Sequence, residues 1–260
     1  LSKSVLLDIE DKMAIITLNE PSSLNALSEK LVKDFTEALE QIKYNPKIRV
    51  VLLKGNGRVF STGGNIKDFP EEAHQATVGR EYMDSYANLI RELAQLELPT
   101  IAAVHGYSYG AGFSIALACD FIVASASASF SMVFNKVGLV PDLAALYHLP
   151  RIVGMARAKE IVYSARAISA QEAKEYGMVF EIVSEEELHS KALELAESFT
   201  TKATRSIGLT KYLLNQSFEL PLPQFLQQER LVQAVAFSSD DFAEGSTAFL
   251  EKRKPNFQGK

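Results

Sequence analysis

The sequence predicts an α/β fold, and three observations carry that prediction. Short apolar runs suited to buried strands recur along the first half of the chain, among them Met13-Ala-Ile-Ile-Thr-Leu18, Val50-Val-Leu-Leu-Lys54, Thr100-Ile-Ala-Ala-Val104 and Phe121-Ile-Val-Ala124. Segments with helical spacing of apolar residues stand between them, and strand alternating with helix favours one α/β domain over separate sheet and helix domains. Two of the strands also run into glycine-rich turns, Gly55-Asn-Gly57 with Gly63-Gly64 and Gly106 with Gly110-Ala-Gly112.

In chain order, Val5-Leu-Leu-Asp-Ile-Glu10 and Met13-Ala-Ile-Ile-Thr-Leu18 read as strands joined at Asp11-Lys12, a short hairpin connection. Glu20-Pro-Ser-Ser23 breaks the pattern. From Ser28, Leu31, Phe35, Leu39 and Ile42 recur at helical spacing, and Asn45-Pro46 stops the helix. A buried strand at 50–54 leads into the first glycine turn. A polar stretch through Gly79 precedes a helix over 82–93, and Pro99 introduces the strand of the second turn. Short strands at 121–124 and 128–130 follow, then a helix containing Leu146 and Leu149. From residue 169 the chain reads as mainly helical, with Ser169 and Glu172 spaced as a capping box and Gly177 as a C-terminal stop.

Composition narrows the function classes. With 47% hydrophobic and 23% charged residues over 260 positions, the chain is an ordinary globular protein rather than a disordered one. A net charge of −5 argues against nucleic-acid binding, although a small anionic ligand needs only a few local cations. The single cysteine, Cys119, lies in the apolar run Ile115-Ala-Leu-Ala-Cys119 and reads as a small buried hydrophobe. The opening residues meet Asp8 too early for a signal-peptide core, no apolar run reaches membrane-spanning length, and the last three residues are no peroxisomal signal. The cytoplasm, with no membrane partner, is the expected setting.

The second glycine turn admits two chemistries. Gly106-Tyr-Ser-Tyr-Gly110 fits a nucleophile elbow with Ser108 as nucleophile, which requires a later acid and histidine. Only His148 and His189 follow it, one in an apolar helix and the other in a charged one. Gly110-Ala-Gly112 fits instead a turn that offers backbone N–H groups to an oxyanion, and such a site needs a second donor from elsewhere. Phe60-Ser-Thr-Gly-Gly-Asn65 is the candidate for that donor.

Leu24-Asn-Ala-Leu27, Phe60-Ser-Thr-Gly-Gly-Asn-Ile-Lys67, Ala103-Val-His-Gly-Tyr-Ser-Tyr-Gly-Ala-Gly112, Cys119-Asp120, Val137-Gly-Leu-Val-Pro-Asp142, Leu149-Pro-Arg-Ile-Val-Gly154 and the stretch 168–177 together resemble the enoyl-CoA hydratase/isomerase (crotonase) superfamily. The motifs occur in the family's order and span nearly the whole chain. The resemblance implies a spiral of ββα units over residues 1–198 and a helical trimerisation region over 199–260, with assembly into a homotrimer or a dimer of trimers. It implies an acyl-CoA thioester as ligand, oxyanion donors at the N–H of Gly64 and of Ala111, and Ser108 as a structural turn residue. It places Ala26 and Thr62 along the nucleotide and pantetheine passage. Lys67 is a candidate phosphate contact, and Lys252-Arg-Lys254 is either a further one or a solvated helix end.

Within the family pattern, hydration uses two glutamates, and the matching positions here are Ser114 and Phe134. Neither side chain exchanges protons near neutral pH. The nearby carboxylate is Asp142, in a Gly-Leu-Val-Pro-Asp pattern that resembles isomerases of the phenylacetate-degradation type. On the residues alone, Asp after Pro before a helix reads first as an N-cap; the resemblance makes it a candidate base. That group commonly carries a small or glycine-containing stretch after the aspartate, where this chain has Leu143-Ala-Ala145. Enclosure by Phe134, Leu139, Val140 and Leu143 would raise the Asp142 pKa. The expected reaction is the shift of a 3-enoyl-CoA double bond to 2-enoyl-CoA, with Asp142 as proton shuttle and coenzyme A present only as part of the substrate, without metal or redox cofactor. The alternatives are a hydratase or other crotonase-type lyase, a non-catalytic acyl-CoA-binding relative and, at a distance, a Ser108 hydrolase.

Overall fold

A computed structural model describes residues 3–260. Strands β1 (Val5–Glu10) and β2 (Met13–Leu18) form the expected antiparallel hairpin, with Val5 opposite Leu18 and Asp11 in the left-handed region at φ 51°. The chain continues through α1 (Glu29–Lys43), β3 (Val50–Gly55), α2 (Ala76–Gln95), β4 (Thr100–Val104), β5 (Tyr107–Tyr109), α3 (Ala111–Ala118), β6 (Phe121–Ser125) and β7 (Ser129–Ser131). It then runs through α4 (Ala145–Val153), α5 (Met155–Ser164), β8 (Ile168–Ser169), α6 (Ala170–Glu175), β9 (Glu181–Val183), α7 (Leu188–Thr200), α8 (Thr204–Gln216), α9 (Leu222–Phe237) and α10 (Asp240–Leu250).

The strands make two sheets. The larger has the order β1-β2-β3-β4-β6-β9 and is parallel apart from the β1–β2 pair; the smaller has the order β5-β7-β8. The inner strands β2, β3, β4 and β6 are buried on both faces, which explains their unbroken apolar runs. Alternation along each strand divides them: Ala14, Ile16, Val51, Leu53, Ala102, Val104, Ile122 and Ala124 face the main core with α1, α2 and α3. Met13, Ile15, Val50, Leu52, Ile101, Ala103 and Val123 pack under Leu188, Ala192 and Ala196 of α7.

Strands β2, β3, β4 and β6 are each followed by a short extended segment and then a helix, which is the ββα spiral. Single bridges from Leu27 to Gly64 and from Ser61 to Ser108 carry this pattern back to the earlier turns of the spiral. Ser61, Ser108, Phe130 and Ile168 form one row across the small sheet, and all four are fully buried.

Several boundaries differ from the sequence reading. Helix α2 begins at Ala76 and carries Gly79 inside it, where composition suggests a polar connection. Residues 181–183 interrupt the expected helical run as β9, pairing with β6. Helix α1 is capped by Ser28, whose hydroxyl accepts from Leu31 N at 3.1 Å, and it buries Leu31, Phe35, Leu39 and Ile42 as the spacing predicts. The capping box at Ser169 and Glu172 is formed. Helix α9 buries no residue, and Phe218, Leu222, Leu226, Leu231, Val235 and Phe237 are all exposed, so these side chains do not pack onto the chain's own core. No helix among the described residues is long and apolar enough to cross a membrane.

Candidate active site

The first site segment is built by a buried asparagine. Leu24 and Asn25 are both left-handed, at φ 58° and 53°, a conformation that asparagine tolerates better than leucine. The Asn25 side chain is fully buried and saturated: Oδ1 accepts from Glu20 N at 2.9 Å, and Nδ2 donates to Asn56 O at 2.8 Å and Val59 O at 2.9 Å. Its carbonyl accepts from Ser61 Oγ at 2.7 Å. The 24–27 loop is thereby bolted to the 56–61 segment, and the two continue side by side, with Thr62 N donating to Leu24 O and Leu27 N to Gly63 O. Ala26 and Thr62 come together on this ribbon, and exposed Lys67 follows it in a short 3-10 turn at Ile66–Asp68.

The two glycine turns meet with no room for side chains. Gly63 has φ +96°, and a Cβ there would stand 2.8 Å from Tyr109 O and 3.1 Å from Ala111 N. A Cβ on Gly112 would fall within 2.8 Å of the Ser61 Cβ, O and Oγ atoms. The glycines are therefore required by close approach as much as by conformation.

A single hydrogen-bond pattern repeats in both turns. Gly63 N donates to Ser61 Oγ at 3.2 Å, whereas the next amide, Gly64 N, donates to no protein group among the described residues. Gly110 N donates to Ser131 O at 2.8 Å, and the next amide, Ala111 N, has no protein acceptor among them either. Ala111 is the first residue of α3, so its free N–H lies at the positive end of that helix. Two backbone donors from adjoining turns are thus left for a ligand oxygen, the arrangement that stabilises a developing oxyanion.

Asp142 precedes α4 without capping it. The helix starts at Ala145, Leu143 and Ala144 are left-handed at φ 49° and 59°, and no side chain caps the first turn. The Asp142 Oδ1 atom is buried and has no hydrogen-bond partner. Burial pushes its pKa up from 3.8 to about 6, offset only by its own backbone amide. The enclosure differs from the expectation: Phe134 and Leu143 are buried, but Leu139 and Val140 are 44% and 76% exposed and do not shield the carboxylate in this chain.

At the two positions where the hydratase pattern has glutamates, Ser114 is fully buried, with its hydroxyl turned back to Gly110 O at 3.3 Å, and Phe134 is buried. The Phe134 ring lies 3.9 Å from where a Gly110 Cβ would stand. Neither position offers a proton-exchanging group.

Sequence reasoning misses the aromatic group on α2 and the turn before it. Phe69 meets Tyr82 edge-on at 5.7 Å, Tyr82 meets Tyr86 at 5.2 Å, and their hydroxyls are 2.8 Å apart. Burial, first among the causes, pushes the Tyr82 phenol above its ordinary range. The Tyr82-x-x-x-Tyr86 spacing, one turn of helix, is the available signal.

The remaining candidates sort themselves by surroundings. Ser108 Oγ is buried, without a hydrogen-bond partner and without histidine, so it is no hydrolytic nucleophile. Arg253 is neutralised within the chain by Glu244 and Glu251 at 2.6 Å, so the central member of the basic triplet is already paired, while Lys252 and Lys254 stay exposed. Cys119 is half-buried, and its thiol is pushed up to about 12, chiefly by desolvation.

Comparison with known proteins gives the same answer as the geometry. The 1,2-epoxyphenylacetyl-CoA isomerase of Escherichia coli (strain K12) is 36% identical over 258 residues, covering 98% of both chains. The mitochondrial enoyl-CoA hydratase of Pongo abelii is 32% identical over 95% of this chain and 83% of its own. The crystal structure of an enoyl-CoA hydratase from Bacillus anthracis superposes with a TM-score of 0.91 at 33% identity, over 99% of this chain and all of that one. The family profile described as enoyl-CoA hydratase/isomerase matches residues 8–260. A spiral of ββα units, two paired glycine turns with free amides and a match across almost every residue converge: this chain belongs to the enoyl-CoA hydratase/isomerase family, whose members act on acyl-CoA thioesters.

Proposed function

We propose that this family member is an enoyl-CoA isomerase that converts a 3-enoyl-CoA into its 2-enoyl isomer. The observation that carries the reading is Asp142, a carboxyl group whose buried oxygen has no partner and whose pKa is raised to about 6, in a chain that has Ser114 and Phe134 where the hydratase pattern has two proton-exchanging residues. A base of that pKa is ionised at neutral pH yet basic enough to accept a carbon-bound proton made acidic by an adjacent thioester.

In the proposed reaction the Asp142 carboxylate takes one proton from C2, and the C–H electron pair delocalises into the 3,4-double bond and the thioester. Negative charge gathers on the thioester oxygen, where the Gly64 and Ala111 amides hold it. The carboxylic acid then returns the same proton to C4, leaving the double bond between C2 and C3. Atoms and electrons balance within the substrate, so no oxidant or reductant enters, and coenzyme A takes part only as the thioester carrier. Ala26 and Thr62 would contact the carrier through backbone groups, and Lys67 would meet its phosphates. We further propose that residues 1–198 form the acyl-CoA core and 199–260 the oligomerisation region, the exposed apolar face of α9 being covered by further copies in a homotrimer or dimer of trimers.

Incubation with 3-enoyl-CoA and 2-enoyl-CoA in D2O tests the reaction. The expected outcome is 2-enoyl-CoA from the first, without hydration of the second, and loss of the shift by at least about a hundredfold in Asp142→Asn with acyl-CoA binding retained. Dominant hydration of 2-enoyl-CoA would favour the hydratase reading, and an active Asn variant would remove Asp142 from its role.

A further inference from the structure

A hydrogen-bonded relay on α2 ends at Leu27, on the segment that pairs with the one bearing Gly64. Tyr86 Oη lies 3.2 Å from Leu27 O, and a carbonyl can only accept, so Tyr86 donates there. Its oxygen then receives the proton of Tyr82, 2.8 Å away. The direction of the relay is fixed: Tyr82 to Tyr86 to the Leu27 carbonyl. That carbonyl also accepts from Asn65 N at 3.2 Å, while Leu27 N donates to Gly63 O at 2.7 Å. Leu27 therefore holds both neighbours of Gly64, whose own amide is left free.

The contacts close into a ring. The Phe69 ring lies 3.6 Å from where a Cβ on Gly64 would stand, and it meets Tyr82 edge-on. Tyr86 is 3% exposed, so water does not compete for its donor, whereas Tyr82 is only half-buried. A carbonyl with both lone pairs occupied by fixed donors cannot turn freely, and neither can the peptide paired with it.

Resting on the oxyanion reading of the site given above, we propose that Tyr86 is a positioning residue that aims the Gly64 amide at the thioester oxygen, with Tyr82 as the donor that orients it. Neither phenol reacts with substrate. Removing the Tyr86 hydroxyl frees one lone pair of Leu27 O and lets the Gly64 peptide tilt, which weakens oxyanion stabilisation without altering the surface that receives coenzyme A.

The test uses the full chain with butanoyl-CoA labelled with 13C at the thioester carbonyl, a ligand with no double bond to shift or hydrate. Isotope-edited infrared spectra of the bound ligand read the polarisation of the carbonyl directly. In the parent protein the band moves to lower frequency on binding. In Tyr86→Phe it returns toward the free-ligand position, kcat for 3-enoyl-CoA falls about tenfold, and the Kd for coenzyme A is unchanged. Tyr82→Phe, which leaves the Tyr86–Leu27 bond in place, gives a smaller return of the band in the same direction. A parent-like band in Tyr86→Phe would overturn the positioning role. A parent protein that binds butanoyl-CoA without lowering its carbonyl frequency would overturn the oxyanion reading and this role with it. A lowered parent band that returns in Tyr86→Phe, in a protein that does not isomerise, would remove the proposed reaction and leave the positioning role standing.

Discussion

Holding the Asp142 carboxyl group out of water costs the fold stability, and the size of that cost can be worked out. Its pKa rises from 3.8 to about 6 on folding, chiefly by desolvation. A displacement of about 2 pH units at about 1.4 kcal/mol each corresponds to about 3 kcal/mol. The sign follows from where the proton sits. Below pH 3.8 both the folded and the unfolded chain carry a protonated carboxyl group, and nothing is lost. Between the two values the folded chain keeps a proton that the unfolded chain has released. Above about 6 the folded chain must hold a charge out of water, so the stability this group allows at low pH is lost as pH rises through that value. An amide in place of this carboxyl group would carry no charge at any pH. The Asp142→Asn variant is therefore expected to exceed the parent in stability by up to about 3 kcal/mol near neutral pH, the gap narrowing toward zero near pH 4. The full value is a ceiling, since the amide still buries polar atoms. Urea unfolding of both proteins across this pH range, at one protein concentration, measures the gap directly. A variant no more stable than the parent near pH 8, or a gap that widens as pH falls, would refute the desolvated carboxylate. With Asp142 as the proposed base, kcat/KM for 3-enoyl-CoA is expected to rise with pH through about 6.

Two further substitutions test how the site is assembled. Gly63→Ala places a methyl group 2.8 Å from Tyr109 O and 3.1 Å from Ala111 N at a left-handed φ, so it should cost about 2 kcal/mol or more in unfolding free energy and at least about tenfold in kcat by separating the two donor turns; parent-like kinetics would show that their spacing does not matter. Ser108→Ala removes a buried hydroxyl that has no partner, so activity should be retained and stability should hold or rise by about 1 kcal/mol, whereas loss of activity with an intact fold would restore Ser108 as a reacting group.

Much of this architecture is legible in the sequence because large-sheet strands buried on both faces leave unmistakable apolar runs. The hairpin, the Ser28 cap of α1 and the Ser169–Glu172 capping box follow from local signals that tertiary packing does not override. The small sheet is harder to see. Its strands are two or three residues long, and Tyr107-Ser-Tyr109 looks like part of a turn until Ser61 and β7 pair on either side of it. Helix α2 reads too short from sequence because Gly79 is a poor helix former, although it is held in the first turn by its bond to Gln75 O. The glycine turns are legible as donor sites, but what leaves Gly64 and Ala111 free is the capture of the preceding amide by Ser61 in one turn and by Ser131, distant in sequence, in the other. Asn25 carries no signal of its own beyond its place in a motif; its three side-chain bonds reach Glu20, Asn56 and Val59 and exist only in the folded chain.

Whether Asp142 caps α4 is decided by the two residues after it. Had α4 begun at Leu143, the aspartate would stand at its N-cap, its carboxylate would accept from a free amide of the first turn, and its pKa would fall below the ordinary range. Instead Leu143 and Ala144 turn left-handed, the helix starts at Ala145, and only the Asp142 carbonyl is drawn into the turn, accepting from Ala145 N at 3.0 Å. The side chain is released from capping while it remains buried, and that combination raises its pKa. Left-handed residues other than glycine are costly, so the backbone here stores strain of about 1 kcal/mol or more per residue beside the group that needs it. Leu143 itself is buried in the main core, and that packing helps hold the turn. The left-handed turn at Leu143 and Ala144 thus keeps the carboxyl group from capping α4 and leaves it available for the proposed role as base.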